Sequence, residues 1–188
     1  MKSLPLILVL FRAAAAPLLL MDSWDGTVAD WFLPLYFLAF LSDIFDGIIA
    51  RRYEVSTADL RVADSLSDTL LYSCLAIAAW HTHGDLLIAN RIPLVSVTLG
   101  IGLWMAVNWL KYGKLASYHT YSAKLWGLSL CLATLSIFGN WGGSNPLLLA
   151  CVFGGINIVE EIAITLILPT WHHDVLSFRH AWQLRQQS

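Results

Sequence analysis

The sequence predicts an all-α integral membrane protein with six transmembrane helices and both termini cytoplasmic. Three observations carry that prediction. Only 13% of the 188 residues are charged, roughly half the fraction usual in soluble domains, and mean hydropathy is +0.64. Apolar runs of near membrane-spanning length recur along the chain, separated by short polar segments. The basic residues fall almost entirely on alternate connections, which sets an orientation. Length and hydropathy together indicate one transmembrane domain, residues 1–168, and a tail, residues 169–188. A net charge of −2 gives no general attraction to nucleic acid. Cys74, Cys131 and Cys151 lie in apolar runs, where an odd number reads as small core residues and not as disulfides or metal ligands.

The first span covers residues 4–21 and is interrupted by Arg12. Lys2 before an apolar run has the outline of a signal peptide, but a charge inside the run weakens that reading. An intramembrane arginine faces a polar interior. Its partners are either the acidic groups of the second and third spans or, in a purely structural pairing, Glu160 or Glu161. A polar turn at 22–27 leads to the second span, 28–50, closed by Arg51 and Arg52. The polar connection 51–63 is long enough to reverse the chain, and Asp64 opens a third span ending near Trp80. His81, Thr82, His83, Gly84 and Asp85 form the next turn; two histidines beside an aspartate have ligand chemistry, but with no further ligand evident they read as an interfacial loop.

The fourth span is 92–110, with Asn108 near its end and Lys111 and Lys114 beyond. Residues 118–124 lead into the fifth, 123–138, and a glycine-rich turn at 139–145 precedes the sixth, 146–168, which holds Glu160 and Glu161. In the tail, Trp171, Val175, Leu176, Phe178, Trp182 and Leu184 alternate with polar residues, a pattern suited to an amphipathic helix on the membrane surface. With the amino terminus inside, Lys2, Arg51, Arg52, Arg61, Lys111, Lys114, Lys124, Arg179 and Arg185 are cytoplasmic, and Arg91 alone lies near the outer face.

The chemistry concentrates in residues 43–68. Asp43 and Asp46 are three residues apart, and Asp64 and Asp68 four apart, so each pair lies on one helical face, a turn from its mate. Antiparallel helices joined by the polar connection bring all four carboxylates together. Such a cluster is costly without a counter-charge, and hard divalent cations bound by oxygen are the usual one. The site opens to the cytoplasm in the orientation above.

The same stretch is similar to a family signature, D-x2-D-G-x2-A-R-x8-G-x3-D-x3-D, that of the CDP-alcohol phosphotransferases (CDP-alcohol phosphatidyltransferases). Asp43, Asp46, Gly47, Ala50, Arg51, Asp64 and Asp68 fall on it with every spacing kept, and Leu60 stands in place of the second glycine. An amino-terminal family pattern is matched in part by Pro5, Arg12 and Pro17, whereas Leu6 and Val9 replace its asparagine and threonine. The resemblance implies transfer of a phosphatidyl or phosphoalcohol group from a CDP-activated donor to an alcohol, releasing CMP, in phospholipid biosynthesis. It implies two divalent ions, Mg²⁺ or Mn²⁺, held by Asp43, Asp46, Asp64 and Asp68, with Asp68 also the base toward the acceptor hydroxyl. Gly47, Ala50 and Arg51 take the nucleotide side, Arg51 on donor phosphate, and Lys124 is the counterpart of a lysine frequent at the head of the fifth helix. A homodimer, membrane lipids as neighbours and a bacterial inner (cytoplasmic) membrane location belong to the same implication.

The DSLSD spelling at 64–68 resembles the serine- and aminoalcohol-type branches more than the glycerophosphate enzymes. A free glutamate of the pair 160–161 would favour a neutral or amine-bearing acceptor in the same way. Rival classes are an ion-coupled transporter, whose acidic residues should be spread through the bilayer depth, and a prenyltransferase, for which the chain is short and the aspartate pairs too close together. A catalytically altered member using a non-CDP donor is the remaining alternative, with Leu60 adding bulk where the family keeps clearance.

Overall fold

The computed structural model describes residues 4–52, 58–116, 118–172 and 174–187; the side chains of 50–52, 58–59, 61–62, 65 and 187 lie outside the described set. Among the described residues, seven α-helices make up the regular structure: α1 Leu4–Asp22, α2 Phe32–Arg52, α3 Ala58–Ala89, α4 Arg91–Tyr112, α5 Tyr121–Phe138, α6 Asn145–Ile167 and α7 Phe178–Gln187. Five helical segments among the described residues are long and apolar enough to cross a membrane: α1, residues Phe32–Ile49 of α2, α4, α5 and α6.

The expected third span differs most. The connection placed at 51–63 is helical at both ends, since α2 runs to Arg52 and α3 begins at Ala58. The turn expected at His81–Asp85 is also helical, and α3 continues for 32 residues with a non-helical kink at His83 (φ −136°, ψ 37°). The polar side chains there bond locally instead of ending the helix. The Thr82 hydroxyl lies 2.9 Å from the Ala78 carbonyl and 2.8 Å from His83 Nδ1, and His83 Nε2 is 3.0 Å from Asn140 Oδ1. Because the apolar stretch 69–80 is flanked by Asp68 on one side and His81, His83 and Asp85 on the other, α3 is less apolar than the five.

The chain divides into two compact units, residues 1–87 with 137–140 and residues 88–136 with 141–188. In the first unit, α1 buries Pro5, Val9, Arg12, Ala16 and Leu19, an alternation of four and three residues that makes one helical stripe. Arg12 therefore belongs to the inward face by register. On α2 the buried stripe is Phe32, Tyr36, Ala39, Ser42 and Asp46, so Asp46 is turned inward in the same way. The carbon-only positions of these stripes fix the helices, and the charged positions follow.

The second unit is built on α6. Gly154 allows α5 to come close: a Cβ there would sit 2.8 Å from Trp126 Nε1. The carbonyls at the carboxyl end of α6, which lack intrahelical partners, accept from Lys111 Nζ (Thr165 at 2.8 Å, Leu166 at 2.9 Å) and from the Tyr112 hydroxyl (Thr165 and Leu168 at 2.9 Å). In the tail α7 covers Phe178, Trp182 and Leu184 of the expected amphipathic pattern, whereas Trp171, Val175 and Leu176 precede it outside any helix. Ala181 and Val175 are buried with Tyr118, Ile164 and Leu168, and Leu184 packs against them, leaving Phe178 and Trp182 exposed.

Candidate active site

Three helices of the first unit supply the site: α1 gives Arg12, α2 gives Asp43 and Asp46, and α3 gives Asp64 and Asp68. Arg12 is fully buried, and its guanidinium touches all four carboxylates. Nη1 lies 3.0 Å from Asp43 Oδ1 and 2.9 Å from Asp64 Oδ1, and also contacts Asp68 Oδ1; Nη2 contacts Asp46 Oδ2. Of the two partners open to Arg12 from sequence, the aspartates are the ones it has.

Asp43, Asp64 and Asp68 each offer an oxygen, and these oxygens lie within 4.8 Å of one another. The three are half-exposed, at 41%, 37% and 37% of their side-chain surface, whereas Asp46 is almost entirely enclosed at 6%. Oxygen donors alone, converging from two helices and open on one side, suit a hard divalent cation such as Mg²⁺ or Mn²⁺. The residues present fit the ions expected. Asp46, expected as a ligand with the others, contacts Nη2 of Arg12, next to the three carboxylates that converge most closely.

Gly47 follows Asp46 on α2 and is half-buried. Ala50 and Arg51 occupy the last turn of α2, and their side chains lie outside the described residues. Leu60 is half-buried on the first turn of α3, four residues before Asp64 and on the same helical face. Lys124 lies in the second unit, its ammonium 5.2 Å from the Tyr121 ring centre. Glu160 and Glu161 are in that unit too. The Glu160 carboxylate accepts from the Ser122 hydroxyl at 2.5 Å and from the Phe178 backbone N–H at 3.0 Å, and Glu161 is buried beside Asn157. Lone histidines on the described helices form no group of three ligands with acids or thiols; the aspartate triad is the group found among the described residues.

A helical chain with five described segments long and apolar enough to cross a membrane and three carboxylates that could hold a metal ion fits the class of membrane-embedded, metal-dependent proteins. Within that class the chain belongs to the CDP-alcohol phosphatidyltransferase family, whose family model matches residues 2–171. The chain is 32% identical over 124 residues to a cardiolipin synthase (CMP-forming)/mitochondrial hydrolase fusion protein of Schizosaccharomyces pombe, covering 63% of this chain and 19% of that protein. It is 33% identical over 78 residues to a CDP-diacylglycerol–glycerol-3-phosphate 3-phosphatidyltransferase of Rickettsia bellii, covering 40% of this chain and 43% of that one. A protein of the same description, from Arabidopsis thaliana chloroplasts and mitochondria, is 34% identical over 79 residues, covering 40% of this chain and 26% of its own length. The chain thus spans less than half the length of these curated relatives. No solved structure matches it.

Proposed function

We propose that this protein transfers a phosphatidyl or phosphoalcohol group from a CDP-activated donor to an alcohol acceptor, with release of CMP, in phospholipid synthesis. The observation that carries the reading is the convergence of Asp43, Asp64 and Asp68 from two helices, in a chain of this family. Divalent ions, when bound there, would neutralise charge at the pyrophosphate and polarise its phosphorus. Asp43, Asp46, Asp64 and Asp68 would hold them, and Asp68 would also accept the proton of the acceptor hydroxyl. The hydroxyl oxygen bonds to phosphorus as the bond to CMP breaks. Arg51 binds donor phosphate with its bidentate fork, and Gly47 and Ala50 leave room for the nucleotide.

Six membrane crossings, with the cluster open to the cytoplasm, complete the proposal. At 32 residues α3 is about 48 Å long, ample for a bilayer core of about 30 Å. For the acceptor, the relatives' names point to glycerol 3-phosphate, against the aminoalcohol hint of the short DSLSD spelling. Similarity sustained over 78 residues outweighs a five-residue spelling. The role considered for a free glutamate is also weakened, because Glu160 is engaged by Ser122 and Phe178 and Glu161 is buried beside Asn157. A glycerol-based acceptor is therefore the reading adopted.

Purified protein assayed for CMP release against CDP-diacylglycerol with glycerol 3-phosphate, phosphatidylglycerol, serine and inositol tests it. Asp43→Asn, Asp64→Asn and Asp68→Asn should each lower turnover by about 100-fold or more, the scale of lost metal or general-base catalysis, with the fold in detergent kept. EDTA should abolish activity and Mg²⁺ or Mn²⁺ restore it. Ion flux without nucleotide turnover, lost in the same variants, would instead establish the transporter.

A further inference from the structure

We infer that Arg12 is the resident counter-ion of the aspartate cluster and that it sets the cluster's affinity for divalent cations by competing with them. Nη1 of Arg12 lies where Asp43, Asp64 and Asp68 converge, the same three residues whose oxygens could hold an ion. A single cationic nitrogen thus stands in for the metal. Its contacts of 2.9 and 3.0 Å with Asp64 and Asp43 are hydrogen-bond distances, whereas Mg²⁺ needs about 2.0–2.1 Å to its oxygens. A cation sharing those oxygens would sit almost upon Nη1. The two charges exclude each other there, so binding an ion requires the guanidinium to withdraw from the triad.

The arginine is built to yield. It reaches the cluster with the tip of its fork only, and among the described residues its buried Nε has no hydrogen-bond partner. Nη2 keeps its contact with Asp46, the carboxylate outside the triad, which offers an anchor while Nη1 moves. Charge balance gives both states a reason to exist. Were all four carboxylates ionised, one guanidinium would leave three negative charges, enough to attract divalent ions yet less repulsive than four. Without Arg12 the metal-free cluster would be a buried, uncompensated concentration of like charge.

This inference rests on the metal-dependent reading, and its test reads binding and stability so that the two can fail separately. The full chain in detergent is stripped with EDTA, and Mn²⁺ binding is followed by electron paramagnetic resonance of the free ion. Thermal midpoints are taken in EDTA and in saturating Mn²⁺. Wild type should keep its fold in EDTA. Arg12→Gln should lower the midpoint in EDTA, widen the gap between EDTA and Mn²⁺, and tighten Mn²⁺ binding by about tenfold or more, as expected for removal of a unit charge in contact with the ion's ligands. Arg12→Lys, which restores a cation, should return the dissociation constant to within about threefold of wild type. Recovery of Arg12→Gln only when Mn²⁺ is present also supports the idea, because the ion then replaces the missing counter-charge.

Equal or weaker Mn²⁺ binding by Arg12→Gln overturns the competition and leaves the metal site standing. Should that variant fold under neither condition, wild type decides alone: unfolding in EDTA shows that Arg12 does not hold the cluster, and a stable EDTA form shows that it does. Absence of Mn²⁺ binding in wild type as well as in the variants removes the metal reading along with the inference.

Discussion

At the scale of the residue, the site rests on spacing that needs no fold to be read. Three- and four-residue intervals put Asp43 with Asp46, and Asp64 with Asp68, on common faces, and the structure brings three of the four within 4.8 Å. Leu60 is the residue that breaks the pattern. It stands one turn ahead of Asp64 on the same face of α3, where the family signature has glycine. If its bulk narrows the nucleotide side, Leu60→Gly should lower the KM for the CDP-linked donor several-fold and leave kcat nearly unchanged, the pattern of added uniform binding. The same change should destabilise the first turn of α3 by about 1 kcal/mol, because glycine loses more backbone freedom on folding. Steady-state kinetics with donor and acceptor varied separately, beside a thermal melt, checks both parts. The partner of Arg12 was only half legible. Its register on the buried stripe of α1 follows from the sequence, but the choice between aspartates and glutamates depends on which helix packs against that stripe, and long-range pairing has no local signature.

At the scale of the element, α6 and α7 show what local reading misses. The amphipathic pattern of 171–184 predicts a helix, and α7 forms only over its second half, from Phe178. The packing of Ala181 and Leu184 beside Tyr118, Ile164 and Leu168 is a tertiary fact. So is the capping. The N–H of Phe178, first residue of α7, donates to Glu160 on α6, so a carboxylate from another helix satisfies an open donor at a positive helix end. Glu160→Ala should remove about 1–2 kcal/mol of docking for α7, the worth of a hydrogen bond with one charged partner, and raise amide exchange over residues 178–187. Glu160→Gln keeps an acceptor and should exchange more slowly than the alanine variant. Equal exchange in both variants and in wild type would show that α7 is held by its apolar contacts alone. The extent of α3 was hidden for a different reason. Hydropathy stops at Trp80, and His81 to Asp85 resemble a turn by composition, yet Thr82, His83 and Asn140 meet each other's hydrogen bonds and the helix continues through a kink.

At the scale of the whole molecule, the side on which the tail lies turns on whether α3 crosses the bilayer. Five helical segments qualify on length and apolar content, and α3 is the one of intermediate character. With the amino terminus inside, six crossings return the tail to the cytoplasm, whereas five leave it outside. The charges separate these cases. Were α3 not to cross, Lys111, Lys114, Lys124, Arg179 and Arg185 would all lie on the outer face, opposite to the distribution that membrane insertion favours. Burying Asp64 and Asp68 part-way into the bilayer is the opposing cost, and contact with Arg12 offsets it. The orientation rule should prevail, because each misplaced basic residue adds to it independently. A cysteine at Gln183 on the exposed face of α7, and another at Asp30 in the link before α2, make the test direct. The natural cysteines, Cys74, Cys131 and Cys151, are buried or half-buried in helices and give little background. A membrane-impermeant maleimide should label Asp30→Cys from the outside of intact cells and Gln183→Cys only after the inner face is opened. Labelling of both from the outside would mean that α3 does not cross, and would place the basic tail on the side of the membrane opposite the amino terminus.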